Sequence, residues 1–224
     1  MNCDLKLQDI ADLGFDVEEI YPRVFKIRNF ASIDEVNGLL HKIQTIDEDA
    51  WSHAYLQHLR DNCMTKYGRD DLDNLVAEGL LEITGSWADK NYTLPHGALA
   101  TALLERSNKV FRTAGDFEGT GFVTIQRMYE GSELKAHHDQ YSDKFIEYAA
   151  VLYLNDDYQG GELFFSNFEG TVRPEPGSLM VFPGTAFYEH GVHFVKEGPV
   201  RYVLPTFVKA SRPEGFMAGW GDFG

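Results

Sequence analysis

Cysteine is nearly absent from this 224-residue chain, which has only Cys3 and Cys63. Neither lies in a CxxC or framework spacing, which argues against structural zinc and a disulfide scaffold and fits a reducing, cytoplasmic setting. Basic residues are scarce as well: 20 against 35 acidic ones, a formal net charge of −15. Such a chain has no general attraction for phosphate backbones or anionic membranes, so no nucleic-acid partner is expected. No apolar run approaches the ~18 residues of a membrane span. Met1-Asn2-Cys3-Asp4 lacks a basic n-region and an apolar h-region, so neither a membrane segment nor a secretory signal is expected. Apolar residues, in contrast, are plentiful. Hydrophobic residues make up 43% and aromatics 13%, with sixteen Phe and eleven Tyr, which excludes a disordered chain and suffices for one sizeable core.

The hydrophobic pattern changes period once along the chain. Val24-Phe25-Lys26-Ile27 reads as a strand, and Ser32 with Glu35 three residues on forms a Ser-x-x-Glu capping box. Val36, Leu39, Leu40 and Ile43 then make one apolar helical stripe. Residues 48–84 read as largely helical, and a clearer helix is expected from about Pro95 to Arg112. Three glycines between Ala114 and Gly121 are expected to break that helix. After them, strands are expected at 122–129, 147–154, 162–166, 171–173, 178–182 and 200–208, separated by Asn/Asp, Gly-Gly and Pro-Gly turns. Helices first and short strands later predict one domain over 1–224: a mainly helical support over 1–115, a strand-rich core over 120–210, and a tail over 211–224.

His137-His138-Asp139 is the first constellation with chemistry in it. In extended backbone, residues i and i+2 share a face, so His137 and Asp139 can converge while His138 points away. A His-x-Asp triplet alone is weak, since about 0.6 are expected by chance in a chain of this composition. Two later residues strengthen it. His190 follows 51 residues on, and Arg201 stands in the otherwise apolar run Val200-Arg201-Tyr202-Val203-Leu204. A buried Arg requires an anionic partner, and its guanidinium fork suits a carboxylate. Two His and one carboxylate match the facial triad of a non-haem Fe(II) site, which leaves positions open for substrates. His193 competes with His190 for the distal role. His138 reads as solvent-facing or supporting, and His41, His53, His58 and His96 as surface or packing residues.

With these elements in order, the chain resembles the Fe(II)- and 2-oxoglutarate-dependent dioxygenases, specifically their prolyl 4-hydroxylase-like branch. The resemblance is carried by Tyr129, His137/Asp139, Tyr153-Leu154-Asn155, Gly160-Gly161-Glu162-Leu163, Pro176-Gly177-Ser178-Leu179-Met180-Val181-Phe182, His190-x-Val192-x-x-Val195-x-x-Gly198 and Arg201-Tyr202. It implies an α+β, mainly β fold: a double-stranded β-helix (jelly-roll) core with an N-terminal helical support layer. It also implies that His137, Asp139 and His190 ligate Fe(II), and that Arg201 pairs with the distal carboxylate of 2-oxoglutarate. Tyr153 would donate a hydrogen bond to that carboxylate, with Tyr129 a further candidate for the co-substrate pocket. The implied reaction hydroxylates an aliphatic C–H of a prolyl or other amino-acid side chain, in a peptide, a protein or a free amino acid. O2 and 2-oxoglutarate are consumed, succinate and CO2 are formed, and ascorbate is a candidate reductant. Three alternatives are weaker. A nucleic-acid demethylase of the same superfamily would carry a second Arg where Phe207 stands. A Zn(II) hydrolase leaves Arg201 and Tyr153 unexplained, and a non-catalytic jelly-roll module leaves the intact triad unexplained.

Overall fold

The computed structural model of the protein describes residues 5–51, 90–93, 100–114, 117–141, 144–173 and 175–210. The expected helix start at Pro95, most of the 48–84 segment and the 211–224 tail lie outside these residues. Among the described residues, no helix is long and apolar enough to cross a membrane.

Two antiparallel sheets face each other, and helices cover the outer face of the larger one. The strands are β1 (Asp16–Tyr21), β2 (Val24–Arg28), β3 (Lys90–Thr93), β4 (Phe117–Met128), β5 (Leu134–His137), β6 (Ile146–Tyr153) and β7 (Gln159–Gly160). They continue with β8 (Leu163–Phe165), β9 (Thr171–Val172), β10 (Leu179–Pro183), β11 (His190–Val192), β12 (Val195–Glu197) and β13 (Arg201–Ala210). The large sheet runs β1-β2-β10-β6-β13-β4-β3, the small one β5-β11-β8-β9, and β12 pairs with β7. This arrangement is the jelly roll that the family resemblance implies.

The period-2 alternation of β6 explains why its sequence is apolar nearly throughout. Tyr148, Ala150 and Leu152 join the core shared with the helices, while Ala149 and Tyr153 join a second core between the sheets. The neighbouring strands keep the same division. Leu179, Val181 and Leu204 face the helices, and Met180, Phe182 and Val203 face the interior. By the same alternation Arg201, two residues before Val203, belongs to the interior face.

Helix α1 (Leu7–Ala11) is short, α2 spans Ile33–Gln44 and α3 spans Thr101–Ala114. The capping box of α2 is complete: the Glu35 amide donates to Ser32 Oγ at 3.2 Å, and the Ser32 amide donates to Glu35 Oε2 at 2.8 Å. Arg106 of α3 donates to both Glu35 oxygens, at 2.7 and 3.2 Å, and to the Phe30 carbonyl. The Arg106 and Ser32 hydrogen bonds hold the Glu35 carboxyl down at about 2. A depressed carboxyl contributes stability above its unfolded value, and that contribution is lost as pH falls through the folded value. Glu35→Gln is therefore expected to lower stability by about 1 kcal/mol at pH 7. The gap between parent and variant should narrow as pH falls from about 4.5 to about 2, as followed by paired urea melts.

Two differences from the sequence reading have clear causes. The helix ends at Ala114 as expected, but β4 starts at Phe117 rather than Phe122 and runs through Gly119 and Gly121. Its pairing with β13 extends along this stretch, Ala210 opposite Phe117 and Lys209 opposite Gly119, and overrides glycine's weak strand propensity. The register shifts between Thr206 and Val208 and again between Lys209 and Ala210, as expected for glycines at bulges. In the N-terminal part the expected strand at Val24–Ile27 is present as β2, and an unexpected strand, β1, pairs with it and extends the large sheet. β1 is hidden in the sequence because it is an edge strand, Asp-Val-Glu-Glu-Ile-Tyr, whose acidic residues protect an open edge.

Candidate active site

Two very short strands carry the His-Asp-His cluster. β11 pairs with β5 so that His190 stands directly opposite His137, and the two rings lie 4.6 Å apart. Each imidazole is oriented by its own backbone. His137 Nδ1 lies 2.8 Å from the Lys135 carbonyl, and His190 Nδ1 lies 3.0 Å from the Tyr188 carbonyl. With Nδ1–H donating, Nε2 keeps its lone pair, the arrangement a metal-binding imidazole needs.

Asp139 meets both Nε2 atoms, but not in the way the extended-chain argument supposed. β5 ends at His137, and Asp139 opens a 3-10 turn, Asp139–Tyr141. The turn is fixed by the Gln140 amide donating to Gly184 O at 3.0 Å and by Gln140 Nε2 donating to Ile146 O at 2.9 Å. A Cβ on Gly184 would sit 2.9 Å from the Ile146 side chain and 3.4 Å from Asp139 Cβ, so glycine is what lets the turn close here. The carboxylate oxygens lie 3.9 Å from His137 Nε2 and 3.9 Å from His190 Nε2. These separations exceed a hydrogen bond and fall within what two metal–ligand bonds of ~2.1 Å can span. One ligand atom from each of the three residues lies within 4.8 Å of the other two, a group able to hold a metal ion.

Burial dominates the electrostatics of the cluster. It raises the Asp139 carboxyl to about 6 and lowers His190 to about 4. His137 is lowered too, by burial and then by His190. The imidazoles are therefore neutral and ready to coordinate near pH 7, and only Asp139 binds a proton that a cation must displace. Affinity for a redox-stable divalent ion such as Mn(II) is expected to be flat above about pH 6.5 and to fall roughly tenfold per unit below about pH 6. Calorimetric titrations at pH 7.5, 6.5 and 5.5 check this.

His193, the competing distal histidine, is exposed, and its ring stacks on Phe164 at 4.6 Å. It lies one residue beyond β11 and outside the cluster. His138 sits between the two cluster residues of the β5 end and is half-buried.

Arg201 is 2% exposed and opens β13, opposite Met128 of β4. Its Nε donates to the Gly161 carbonyl at 3.2 Å, and its Nη1 approaches Met128 Sδ at 3.3 Å. Among the described residues, no carboxylate forms an ion pair with it. The Tyr153 ring lies below the guanidinium, 5.6 Å from its centroid to Cζ, with a buried hydroxyl that meets no hydrogen-bond partner of full geometry among the described residues. The His-Asp-His cluster borders the same interior. His190 packs on Phe182 at 4.5 Å and Phe165 at 6.0 Å, and both phenylalanines share a buried cluster with Tyr153. A buried cation and an unsatisfied phenol beside a three-ligand cluster fit an anionic ligand that reaches from the metal to Arg201.

Tyr129 is placed differently from the sequence expectation. Its ring lies 5.2 Å from the Arg127 guanidinium, which also stacks on Trp51 at 4.0 Å and is paired with Glu48. β4 alternates, so Arg127 and Met128 point to opposite faces, and Tyr129 follows Arg127 rather than the Arg201 side. Tyr158, which the sequence reading did not single out, is buried with Met128, Val192 and Val195 beside Arg201.

Comparisons with known proteins agree with this geometry. Residues 123–209 match the model of the 2OG-Fe(II) oxygenase superfamily. Human prolyl 3-hydroxylase 3 is 42% identical over 59 residues, a match covering 24% of this chain and 8% of that protein. The chain thus spans only a small part of the curated relatives it matches. Among solved structures, a Pseudomonas putida prolyl-4-hydroxylase aligns with a TM-score of 0.62 at 17% identity, over 92% of this chain and 98% of that one. A Trichoplax adhaerens prolyl hydroxylase, in complex with a hypoxia inducible factor oxygen degradation domain peptide fragment, aligns with a TM-score of 0.60 at 16% identity. That alignment covers 89% of this chain and 86% of the other. At these identities the structural likeness speaks for the jelly-roll fold.

Proposed function

From the match of residues 123–209 to the model of the 2OG-Fe(II) oxygenase superfamily, we propose that the chain is an oxygenase of that superfamily and that it hydroxylates an aliphatic C–H of a prolyl or other amino-acid side chain. His137, Asp139 and His190 are the residues that would hold Fe(II), and Arg201 with Tyr153 would hold the distal carboxylate of 2-oxoglutarate. The observation that carries the reading is the buried Arg201, which has no acidic partner among the described residues, on the same interior as a His-Asp-His cluster whose Asp139 and His190 are buried and whose His137 is half-buried.

Bound Fe(II) with 2-oxoglutarate supplies oxygen chemistry: O2 is consumed, 2-oxoglutarate becomes succinate and CO2, and one oxygen atom enters the substrate C–H. The protein's own contributions are positional. The Lys135 and Tyr188 carbonyls fix the two imidazole tautomers, and the 3-10 turn brings the carboxylate between them. Phe165 and Phe182 wall one side of His190 with apolar surface that excludes water. Arg201 and Tyr153 orient the co-substrate so that its 2-oxo acid end faces the cluster.

A peptide or protein substrate is favoured over a free amino acid by the prolyl hydroxylases among the chain's relatives. The net charge of −15 disfavours a nucleic-acid substrate. A cytoplasmic setting fits two cysteines outside any disulfide spacing, and ascorbate as reductant rests on the family resemblance alone. The test is mass spectrometry of prolyl peptides, proteins and free amino acids incubated with protein, Fe(II), 2-oxoglutarate and O2. The reading expects a gain of one oxygen atom in a substrate, matched by succinate formation. His190→Ala is expected to abolish turnover and His193→Ala to keep most of it; a reversed result moves the distal ligand by three residues.

A further inference from the structure

We propose that Tyr158 is a third hydrogen-bond donor to the distal carboxylate of the 2-oxo acid, beside Arg201 and Tyr153, and that it helps select a dicarboxylate. The inference rests on the oxygenase reading above and names a residue that neither the sequence pattern nor the comparisons assign.

Tyr158 is 3% exposed, and its buried hydroxyl, like that of Tyr153, meets no hydrogen-bond partner of full geometry among the described residues, only the nearby Arg201 guanidinium. Both phenols lie close enough to feel the Arg201 charge, and Tyr158 also feels Tyr153. Gly161 shows how tightly they converge. A Cβ there would sit 2.9 Å from Tyr158 Cε2 and 3.1 Å from Arg201 Cδ, and its φ of +68° already favours glycine. The absent side chain at 161 is what lets phenol and guanidinium approach from two sides, while the Gly161 carbonyl holds Arg201 Nε.

Hydrogen-bond capacity argues for the same assignment. Two carboxylate oxygens offer about four acceptor positions. With Nε committed to Gly161, Arg201 presents its Nη1/Nη2 edge, which serves two of them. The Tyr153 and Tyr158 hydroxyls can serve the other two, and each would otherwise remain buried and unsatisfied. Burial raises both phenols, Tyr158 to about 12, so both keep their protons and act as donors across the working pH range. A site built this way penalises a ligand that lacks the distal carboxylate, because the buried donors then go unpaired. If Tyr158 were only a core residue against Met128, Val192 and Val195, phenylalanine would serve as well.

Tyr158→Phe removes the hydroxyl and leaves the packing. The test is anaerobic calorimetry of the Fe(II)-loaded protein with 2-oxoglutarate and with 2-oxopentanoate, in which a methyl replaces the distal carboxylate. The variant is expected to bind 2-oxoglutarate about tenfold more weakly, the cost of one hydrogen bond to a charged group. Affinity for 2-oxopentanoate and for the metal should stay within twofold, and the ligand-free melting temperature should not fall. Unchanged 2-oxoglutarate affinity, or equal weakening of both acids, overturns the assignment. If the parent itself binds no 2-oxoglutarate, the oxygenase reading fails and this inference with it. If the parent binds and Arg201→Ala does not while Tyr158→Phe matches the parent, only the Tyr158 inference fails.

Discussion

Asp139→Ala is expected to abolish divalent-metal binding at micromolar concentrations, with turnover lost alongside it, and to leave the fold intact. The carboxylate is the one charged group of the His-Asp-His cluster and sits 3.9 Å from both Nε2 atoms. Loss of an outer partner that merely orients a ligand costs about 10–100-fold in affinity, so loss of the charged ligand itself should exceed that. The metal-free variant should be no less stable than the parent at pH 7. Burial pushes the Asp139 carboxyl up to about 6, so the metal-free fold carries this group under strain when it is ionised. Calorimetry with Mn(II), together with melts with and without the metal, separates the two effects. A variant that keeps the parent's metal affinity would mean that Asp139 is not a ligand.

Arg201→Ala has the second large effect. A carboxylate on the guanidinium edge makes two charge-assisted hydrogen bonds, each contributing about 1.5–3 kcal/mol. Their loss should raise the 2-oxoglutarate requirement by roughly two decades or more, by the same magnitudes. Arg201→Lys keeps the charge without the fork and should give a moderate increase. Metal affinity without co-substrate should stay within twofold for both variants, since Arg201 bonds to Gly161 and Met128 rather than to the cluster. Anaerobic titration of 2-oxoglutarate into the Fe(II) protein measures both. Parent-like binding by Arg201→Ala would make Arg201 a structural residue and remove the co-substrate assignment.

Where the sequence was legible, long-range pattern and local chemistry pointed the same way. The α2 capping box was readable because Ser32 and Glu35 satisfy each other within one turn, independently of the rest of the fold. Strands β6, β10 and β13 were readable because they are long and buried on both faces. β5 and β11, which carry the histidines, were not: three or four residues such as His-Gly-Val are too short to show any period. The cluster was legible through residue type and order, while its geometry depends on a cross-strand register that no local signal encodes. The 3-10 turn at Asp139 is held by Gly184, 45 residues away in the chain, so the extended-chain argument reached the right pair by a backbone that ends at His137. Tyr158 escaped notice because, in Asp-Asp-Tyr-Gln-Gly-Gly, it reads as part of a turn. Only the approach of its ring to Arg201 over Gly161 suggests the role proposed for it.

Labelled CO2 released from 1-labelled 2-oxoglutarate under air, by Fe(II)-loaded parent and Asp139→Ala protein side by side, tests the central claim most directly. The account predicts Fe(II)-dependent release from the parent and none above background from the variant. Release that is absent from the parent although Fe(II) is bound, or equal in the two proteins, would contradict it.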